Sequence, residues 1–107
     1  MPAPRPGRPV RGSRSGRPLM AALDLLGRRW ALRVLWELRE EAHSFRALRE
    51  RCDDLSPSVL NARLAELREA GLVAPGDGGY RLTPLGRSLG RALEPLQGWA
   101  ERWAKEA

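Results

Sequence analysis

The sequence predicts a mainly α (α+β) domain with one short two-stranded hairpin. Apolar residues recur at helical spacing in several stretches of residues 19–107, and residue types that cap helices stand at their ends. A glycine-rich turn, PGDGG at 75–79, separates two short runs of β-type residues. A chain of 107 residues has the size of one small domain.

The clearest helix lies within residues 55–71, LSPSVLNARLAELREAG. Ser56 is suited to cap its N-terminus, Pro57 to occupy its first position, and Gly71 to form a left-handed C-terminal cap. Its apolar stripe, which we expect to be buried, consists of Leu60, Leu64 and Leu67. Its other side carries small or polar residues near the leading end, namely Ser58, Asn61, Ala62 and Ala65. Such a helix can enter a DNA major groove, although an ordinary surface helix has the same pattern.

Three helices are predicted before it, over residues 19–26, 28–39 and 45–52. Gly27 breaks the first, and Ser44 is placed to cap the third. The buried stripe predicted for the second consists of Trp30, Val34, Leu35 and Leu38, with Trp36 to one side. Helix 45–52 and helix 57–70 are joined by a short connection, which is the helix-turn-helix arrangement.

Residues 72–74 and 80–82 are the predicted strands, so a hairpin follows the second helix of that pair, as in a winged helix-turn-helix. Thr83 and Pro84 then open a last helix over residues 84–105, which Pro95 should kink or split. Its apolar positions are Leu85, Leu89, Leu93, Leu96, Trp99 and Trp103. This helix is too long and too apolar for so small a body to cover, which indicates a second copy of the chain.

Residues 1–18 are predicted to form a disordered arm rich in Arg, Pro and Gly, ahead of a winged-helix domain over residues 19–107. The net charge is +6, and the arm holds five of the 19 basic residues, Arg5, Arg8, Arg11, Arg14 and Arg17. The rest of the chain is therefore nearly neutral. Two interpretations of the arm stay open, a DNA backbone contact and a solvated tail without a role.

The composition argues against several other classes of protein. Cys52 is the one cysteine of the sequence, so no internal disulfide can form. His43 is the one histidine, which argues against most metal sites and against a serine-protease triad. Glu66 and Glu69 are expected on solvent faces, and no glycine-rich phosphate loop is present, so we expect neither an enzyme nor a cofactor. Without a long apolar run or a secretory signal, the expected location is the cytoplasm and no membrane partner is expected.

The order of these elements resembles the HxlR-type winged-helix transcriptional regulators, relatives of the MarR group. The matching segments are LDLLGRRWALRVLWEL (23–38), SFRALRERCDDLSPSVLNARLAELREAGLV (44–73), YRLTPLGRSL (80–89) and GWAERW (98–103). The resemblance implies a bacterial homodimer on a palindromic operator in double-stranded DNA, with the first and last helices forming the dimer.

Carried over by position, the DNA-contacting residues would be Ser44, Arg46, Ser56, Pro57, Ser58, Asn61, Ala62 and Arg63, with Arg81 in the wing. The residues expected in the dimer interface are Leu19, Leu23, Leu89, Leu93, Leu96, Trp99 and Trp103. A small-molecule effector could occupy a cleft lined by Trp30, Trp36 and Trp99, although packing in the core is the commoner role for such rings.

The chain departs from the family pattern at three places. Arg17 stands where many members have a cysteine, so a redox mechanism is not carried over, and Cys52 reads as a buried hydrophobic residue. The wing is shortened to APGDGG, which puts its DNA contact in doubt. Ser58 and Ala62 replace larger polar residues, which leaves Asn61 and Arg63 as the best candidates for base contacts.

We hypothesise that the arginine arm offsets the short wing by attracting phosphates. This hypothesis predicts that deleting residues 1–17 flattens the salt dependence of operator binding by up to roughly 4 in log–log slope per chain. The main alternative function is a winged-helix module that binds proteins and has no affinity for DNA. The near-neutral body favours this alternative a little, whereas Asn61, Arg63 and the arm oppose it.

Overall fold

The computed structural model describes residues 3–107, which form five helices and one antiparallel hairpin. The elements in chain order are α1 (Pro18–Leu26), α2 (Ala31–Glu37), α3 (Phe45–Arg51), α4 (Pro57–Glu69), β1 (Val73–Gly76), β2 (Gly79–Leu82) and α5 (Pro84–Glu106). This is the mainly α winged helix-turn-helix order that the sequence predicts.

Helix α4 begins and ends as its sequence predicts. The Ser56 hydroxyl accepts a hydrogen bond from the Val59 amide at 3.3 Å, and Pro57 follows at the first helical position. At the other end Gly71 has a left-handed φ of 82°, and the Leu72 amide donates to the Leu67 carbonyl at 2.9 Å. The bond from Leu72 to Leu67, together with the left-handed Gly71, ends the helix and directs the chain into β1.

The hairpin is the wing, and a backbone bridge also attaches it to the segment before α3. Gly76 pairs with Gly79 across the turn, and His43 forms an isolated bridge with Tyr80 through two backbone hydrogen bonds of 2.8 and 3.0 Å. A Cβ on Gly79 would lie 2.3 Å from the His43 carbonyl oxygen, and its φ is +110°. Glycine is therefore required where the wing meets the segment before α3.

One hydrophobic core joins all the helices and the wing. The largest fully buried side chains are Leu48, Leu60, Leu67, Val34 and Cys52. The predicted stripe of α4 is thus at the centre of the molecule, and the predicted burial of Cys52 is confirmed. Since α4 packs through this stripe against α2 and β1, its opposite face is left outside.

Helix α2 is shorter than the predicted helix over residues 28–39. Trp30 does not lie inside it, because its φ of 71° is left-handed and makes it the residue before the first helical turn. Trp30 still packs against the core, where it is partly buried. This turn between α1 and α2 is rare for a bulky residue and depends on tertiary contacts rather than on local sequence.

Pro95 does not split the last helix, which runs without interruption from Pro84 to Glu106. A proline inside a helix removes one hydrogen bond, but the bonds on either side can maintain the helix. Thr83 caps its start by accepting a hydrogen bond from the Gly86 amide at 3.0 Å. The second half of α5 therefore extends beyond the body as a single rod.

The predicted disorder of the N-terminal arm differs from the structure, in which residues 3–17 follow a turn-rich path along α1. Met1 and Pro2 lie outside the described residues. Ala3 is buried in the core, and its amide donates to Glu69 at 3.1 Å. The Gly7 amide donates to the Gly16 carbonyl at 2.9 Å, and the Arg11 amide to Asp24 at 3.1 Å. These backbone contacts order the segment although its side chains supply little apolar area.

Candidate nucleic-acid interface

The outer face of α4 carries a row of small and polar side chains. Ser58, Asn61, Ala65 and Arg68 are all exposed, and they follow one another at spacings of three or four residues. Pro57 is exposed beside them, whereas Ala62 is half-buried. A face of small residues allows the backbone of the helix to approach another surface closely, and Asn61 offers the paired donor and acceptor that matches adenine.

The start of α3 lies within the same helix-turn-helix unit. Ser44 caps α3 by accepting a hydrogen bond from the Ala47 amide at 3.1 Å, and Arg46 is exposed in the first turn. The connection from α3 to α4 is tight, because Asp53 and Asp54 both have φ of 58°. The Arg49 guanidinium also donates to the Leu55 carbonyl at 2.7 Å, which fixes the angle between the two helices.

Arg63, which the sequence predicts as a candidate for base contacts, is held by an ion pair within the protein. Its Nε lies 2.9 Å from one oxygen of Glu66, and its other nitrogens donate to Glu66 and to the Arg29 carbonyl at 3.3 and 3.2 Å. Arg28 approaches the same carboxylate at 2.7 Å. Glu66 is only 7% exposed, so the expectation that it lies on a solvent face is wrong. This cluster ties α4 to the turn between α1 and α2.

Arg68 is the cation of α4 that the sequence analysis did not select. It is exposed, and within residues 3–107 it has no hydrogen bond or ion pair. Its position seven residues after Asn61 is the sequence signal that would have placed it on the same face. Helical spacing alone does not show which arginine faces a buried carboxylate, so the pairing of Arg63 with Glu66 was not predictable from the sequence.

The wing contributes one arginine, which is engaged within the hairpin. Arg81 is exposed, and its guanidinium donates to the Pro75 carbonyl at 3.3 Å across the two strands. The weak geometry of that bond leaves the side chain able to turn outward. The turn itself carries Asp77 and no basic residue, so the wing adds little positive charge.

The residues expected in the dimer interface lie on α1 and α5. The exposed ones are Leu19, Leu23, Leu96, Trp99 and Trp103, and the half-buried ones are Leu89 and Leu93. The rings of Trp99 and Trp103 stack with centroids 5.5 Å apart. Side chains of α1 and of the first half of α5 face a common open groove.

The arm begins at the C-terminal end of α4, where the Ala3 amide donates to Glu69. Arg5, Arg8, Arg11, Arg14 and Arg17 are exposed, and none of their side chains is paired within the part of the chain that the structure describes. The anchor at Glu69 is 13 residues along the helix from Ser56, a distance of about 20 Å.

Residues 25–107 match the sequence pattern of the HxlR-like helix-turn-helix family. The chain belongs to the HxlR-like helix-turn-helix family. One relative of this HxlR-like protein is the HTH-type transcriptional regulator YvaP of Bacillus subtilis, 30% identical over 77% of this chain and 82% of the relative. Another is the HTH-type transcriptional regulator YtfH of Escherichia coli, 32% identical over 68% of this chain and 64% of the relative.

Solved structures agree with this assignment. Quinone-bound YodB from B. subtilis superposes with a TM-score of 0.73 at 28% identity, over 78% of this chain and 96% of that one. A possible HxlR family transcriptional factor from Thermoplasma volcanium superposes with a TM-score of 0.71 at 25% identity, over 82% and 85% of the two chains. The protein is thus a DNA-binding regulator of transcription of the HxlR type, related to the MarR group, and its family consists of regulators and not of enzymes.

The helices and the single cysteine of this HxlR-like chain have two further features. Among residues 3–107, no helix has both the length and the hydropathy for crossing a bilayer. Burial raises the pKa of the Cys52 thiol, and its exposed fraction is 0%. A thiol that is protonated and enclosed reacts slowly, so this cysteine is suited to packing.

Proposed function

We propose that the protein acts as a homodimer that binds a palindromic operator through its two α4 helices. The observation that carries the proposal is the exposed row Ser58, Asn61, Ala65 and Arg68, which begins at a capped helix end and faces away from the core. Ser44 and Arg46 at the start of α3 are placed to meet the phosphates beside it, with Ser56, Pro57 and Ala62 at the edge of the contact.

Dimerisation is supported by the distribution of exposed apolar side chains. Leu19 and Leu23 on α1 are 67% and 53% exposed, and Trp103 on α5 is 60% exposed. Several large apolar side chains exposed on two helices are typical of a surface that binds a partner. A twofold pair of chains would bury these side chains and would present the α4 helices to successive major grooves, about 34 Å apart.

The three tryptophans that could line an effector cleft have separate surroundings. Trp36 is stacked against the Arg39 guanidinium at 3.7 Å, and Trp99 is stacked against Trp103. Trp30 lines a cavity beside the leading end of α4. Because these three rings have different neighbours, we assign no common ligand cleft to them.

The test is selection of bound sequences from random DNA, followed by gel shifts on the selected sequence. We expect an inverted repeat whose half-sites are centred about 10 base pairs apart. Asn61→Ala should weaken binding at least about tenfold, which corresponds to about 1.4 kcal/mol. The control is Gln97→Ala, which removes an exposed amide from α5.

The alternative function, a winged helix that binds only proteins, predicts the opposite result. In that case no sequence would be enriched over a random pool, and Asn61→Ala and Gln97→Ala would behave alike. A single half-site bound by one chain would support DNA binding but would contradict the palindromic operator.

A further inference from the structure

The turn between α1 and α2 carries two consecutive arginines with opposite surroundings. The Arg28 guanidinium lies 2.7 Å from a carboxylate oxygen of Glu66, and its side chain is only 17% exposed. Arg29 is exposed, and within residues 3–107 its side chain has no hydrogen bond or ion pair. The first arginine therefore holds the turn to α4, and the second is left facing solvent.

The backbone of Arg29 is fixed against α4. The Arg63 guanidinium donates to the Arg29 carbonyl at 3.2 Å and also pairs with Glu66. Trp30, the next residue, packs against the core with a left-handed φ of 71°, a conformation that persists only where the surrounding structure enforces it. The position of Arg29 is thus set by Arg28 before it and by Trp30 after it.

Arg29 lies beside the leading end of α4. It lines an open cavity of about 490 Å³ together with Ser56 and Ser58. Ser56 caps α4, and Ser58 is the first member of the exposed row that continues to Asn61. A long cation at this position therefore borders the face that the proposed function assigns to DNA.

Few cations of the body are available to phosphates. Most arginines of residues 18–107 are paired with a carboxylate or a backbone carbonyl. In the part of the chain that the structure describes, the exposed basic residues of the body without such a partner are Arg29, Arg46, Arg68, Arg91 and Lys105. The last two are on α5, and the other three lie on or beside the helix-turn-helix unit. Each phosphate that a cation neutralises adds to the affinity for DNA, so these three matter most.

We propose that Arg29 binds a backbone phosphate of the DNA that α4 enters, a contact supplied from outside the helix-turn-helix unit and the wing. This contact depends on the DNA binding through α4 that is proposed above, but it requires neither a homodimer nor a palindrome. An arginine on a phosphate positions the duplex and reads no base. Arg28, Glu66 and Arg63 act through Arg29 as positioning residues.

Arg29→Gln and Arg91→Gln form a matched pair, because both remove an exposed and unpaired guanidinium. Gel shifts of the full chain over a salt series, on the selected operator and on a duplex of scrambled sequence, measure both affinities and their log–log salt slopes. We expect Arg29→Gln to weaken both complexes by a similar factor of at least about threefold, and to lower the slope by about 0.9 per chain. Arg29→Lys should keep most of the slope, and Arg91→Gln should change neither quantity.

A slope that Arg29→Gln leaves unchanged would overturn the proposal. A loss of affinity confined to the operator would also overturn it, since a phosphate contact acts on every sequence alike. Chemical denaturation should give the same midpoint for Arg29→Gln and the natural sequence, because this side chain has no partner in the described fold.

Ethylation interference provides a direct readout of the phosphates. The Arg29→Gln complex should lose interference at one phosphate per bound chain, and an unchanged pattern would overturn the contact. A natural chain that binds neither duplex would overturn this contact together with the proposed function. A chain that binds DNA without dimerising would overturn the homodimer alone, because the slope is counted per chain.

Discussion

Arg63 and Arg68 lie five residues apart on α4 and have opposite surroundings. Arg63 is held by Glu66 and by the Arg29 carbonyl, while Arg68 extends into solvent. A cation bound by a buried carboxylate loses interaction energy if it turns outward, because the carboxylate is then left without its partner. At the scale of single residues, we therefore expect Arg63 to serve the fold and Arg68 to be the α4 cation that is available to a nucleic acid.

Arg63→Ala and Arg68→Ala should thus separate stability from binding. We expect Arg63→Ala to lower the free energy of unfolding by about 2 kcal/mol, because it leaves Glu66 with one partner fewer in a poorly solvated site. Arg68→Ala should leave stability within about 0.5 kcal/mol and weaken operator binding several-fold. Chemical denaturation and gel shifts measure the two quantities, and the reverse pattern would contradict this assignment.

Cys52 gives a second prediction at this scale. Because burial raises the pKa of its thiol and encloses it, we expect a thiol reagent to modify it only as fast as the protein unfolds. The rate of modification is measured by absorbance, first in buffer and then in denaturant. Rapid modification of the folded protein would indicate an accessible thiol and would reopen a redox function for this position.

At the scale of elements, α2 and α3 are joined by one carboxylate. Glu37 accepts a hydrogen bond from Arg33 at 2.9 Å within α2 and lies 3.4 Å from the Arg51 guanidinium on α3. Burial raises the pKa of Glu37, but the hydrogen bonds from the two arginines outweigh this effect and leave its pKa lowered. The ionised form is therefore favoured by folding.

The pH dependence of stability follows from the lowered pKa of Glu37. A carboxyl group whose pKa is lowered by folding stabilises the protein above its unfolded pKa, and this contribution is lost as the pH falls through the folded pKa. We expect Glu37→Gln to cost about 1 kcal/mol near pH 7, since both arginines are partly exposed and screened. The difference from the natural sequence should shrink towards about pH 3.

Denaturant melts at the two pH values measure this difference, and Glu50→Gln, an exposed carboxylate on α3, is the control. A cost for Glu37→Gln that stays constant with pH would show that the ion pair contributes nothing.

At the scale of the whole molecule, the positive charge is concentrated on one segment. Five of the 19 basic residues are the arm arginines, which the structure leaves exposed. The first residues of the arm lie at the C-terminal end of α4, where the Ala3 amide donates to Glu69. We expect any attraction of the arm for DNA to act at long range and to depend on the salt concentration.

Replacing all five arm arginines with glutamine is a sharper test than deletion, because Ala3 and the backbone turns stay in place. If the arm attracts phosphates, the log–log salt slope of operator binding should fall by up to about 4 per chain. Arg91→Gln on α5 controls for a general loss of charge. An unchanged slope would show that the arm makes no net phosphate contact.

Local sequence rules determined most of the architecture of this HxlR-like chain. Ser44, Ser56 and Thr83 each cap the helix that follows them, and Gly71 ends α4, because capping depends on residues within one turn. The leucine stripe of α4 and the exposure of Asn61 follow from the helical period alone. These rules place the candidate reading face without any tertiary information.

Only the tertiary structure decided which charged groups are free and where the arm lies. Glu66 is buried where Arg28, 38 residues earlier in the chain, folds against it. Arg63 pairs with the same carboxylate, which leaves its side chain only 18% exposed. The arm is ordered because Ala3 meets Glu69, 66 residues later. Such contacts depend on the distance between atoms in the folded chain, which the spacing of residues in a sequence does not contain.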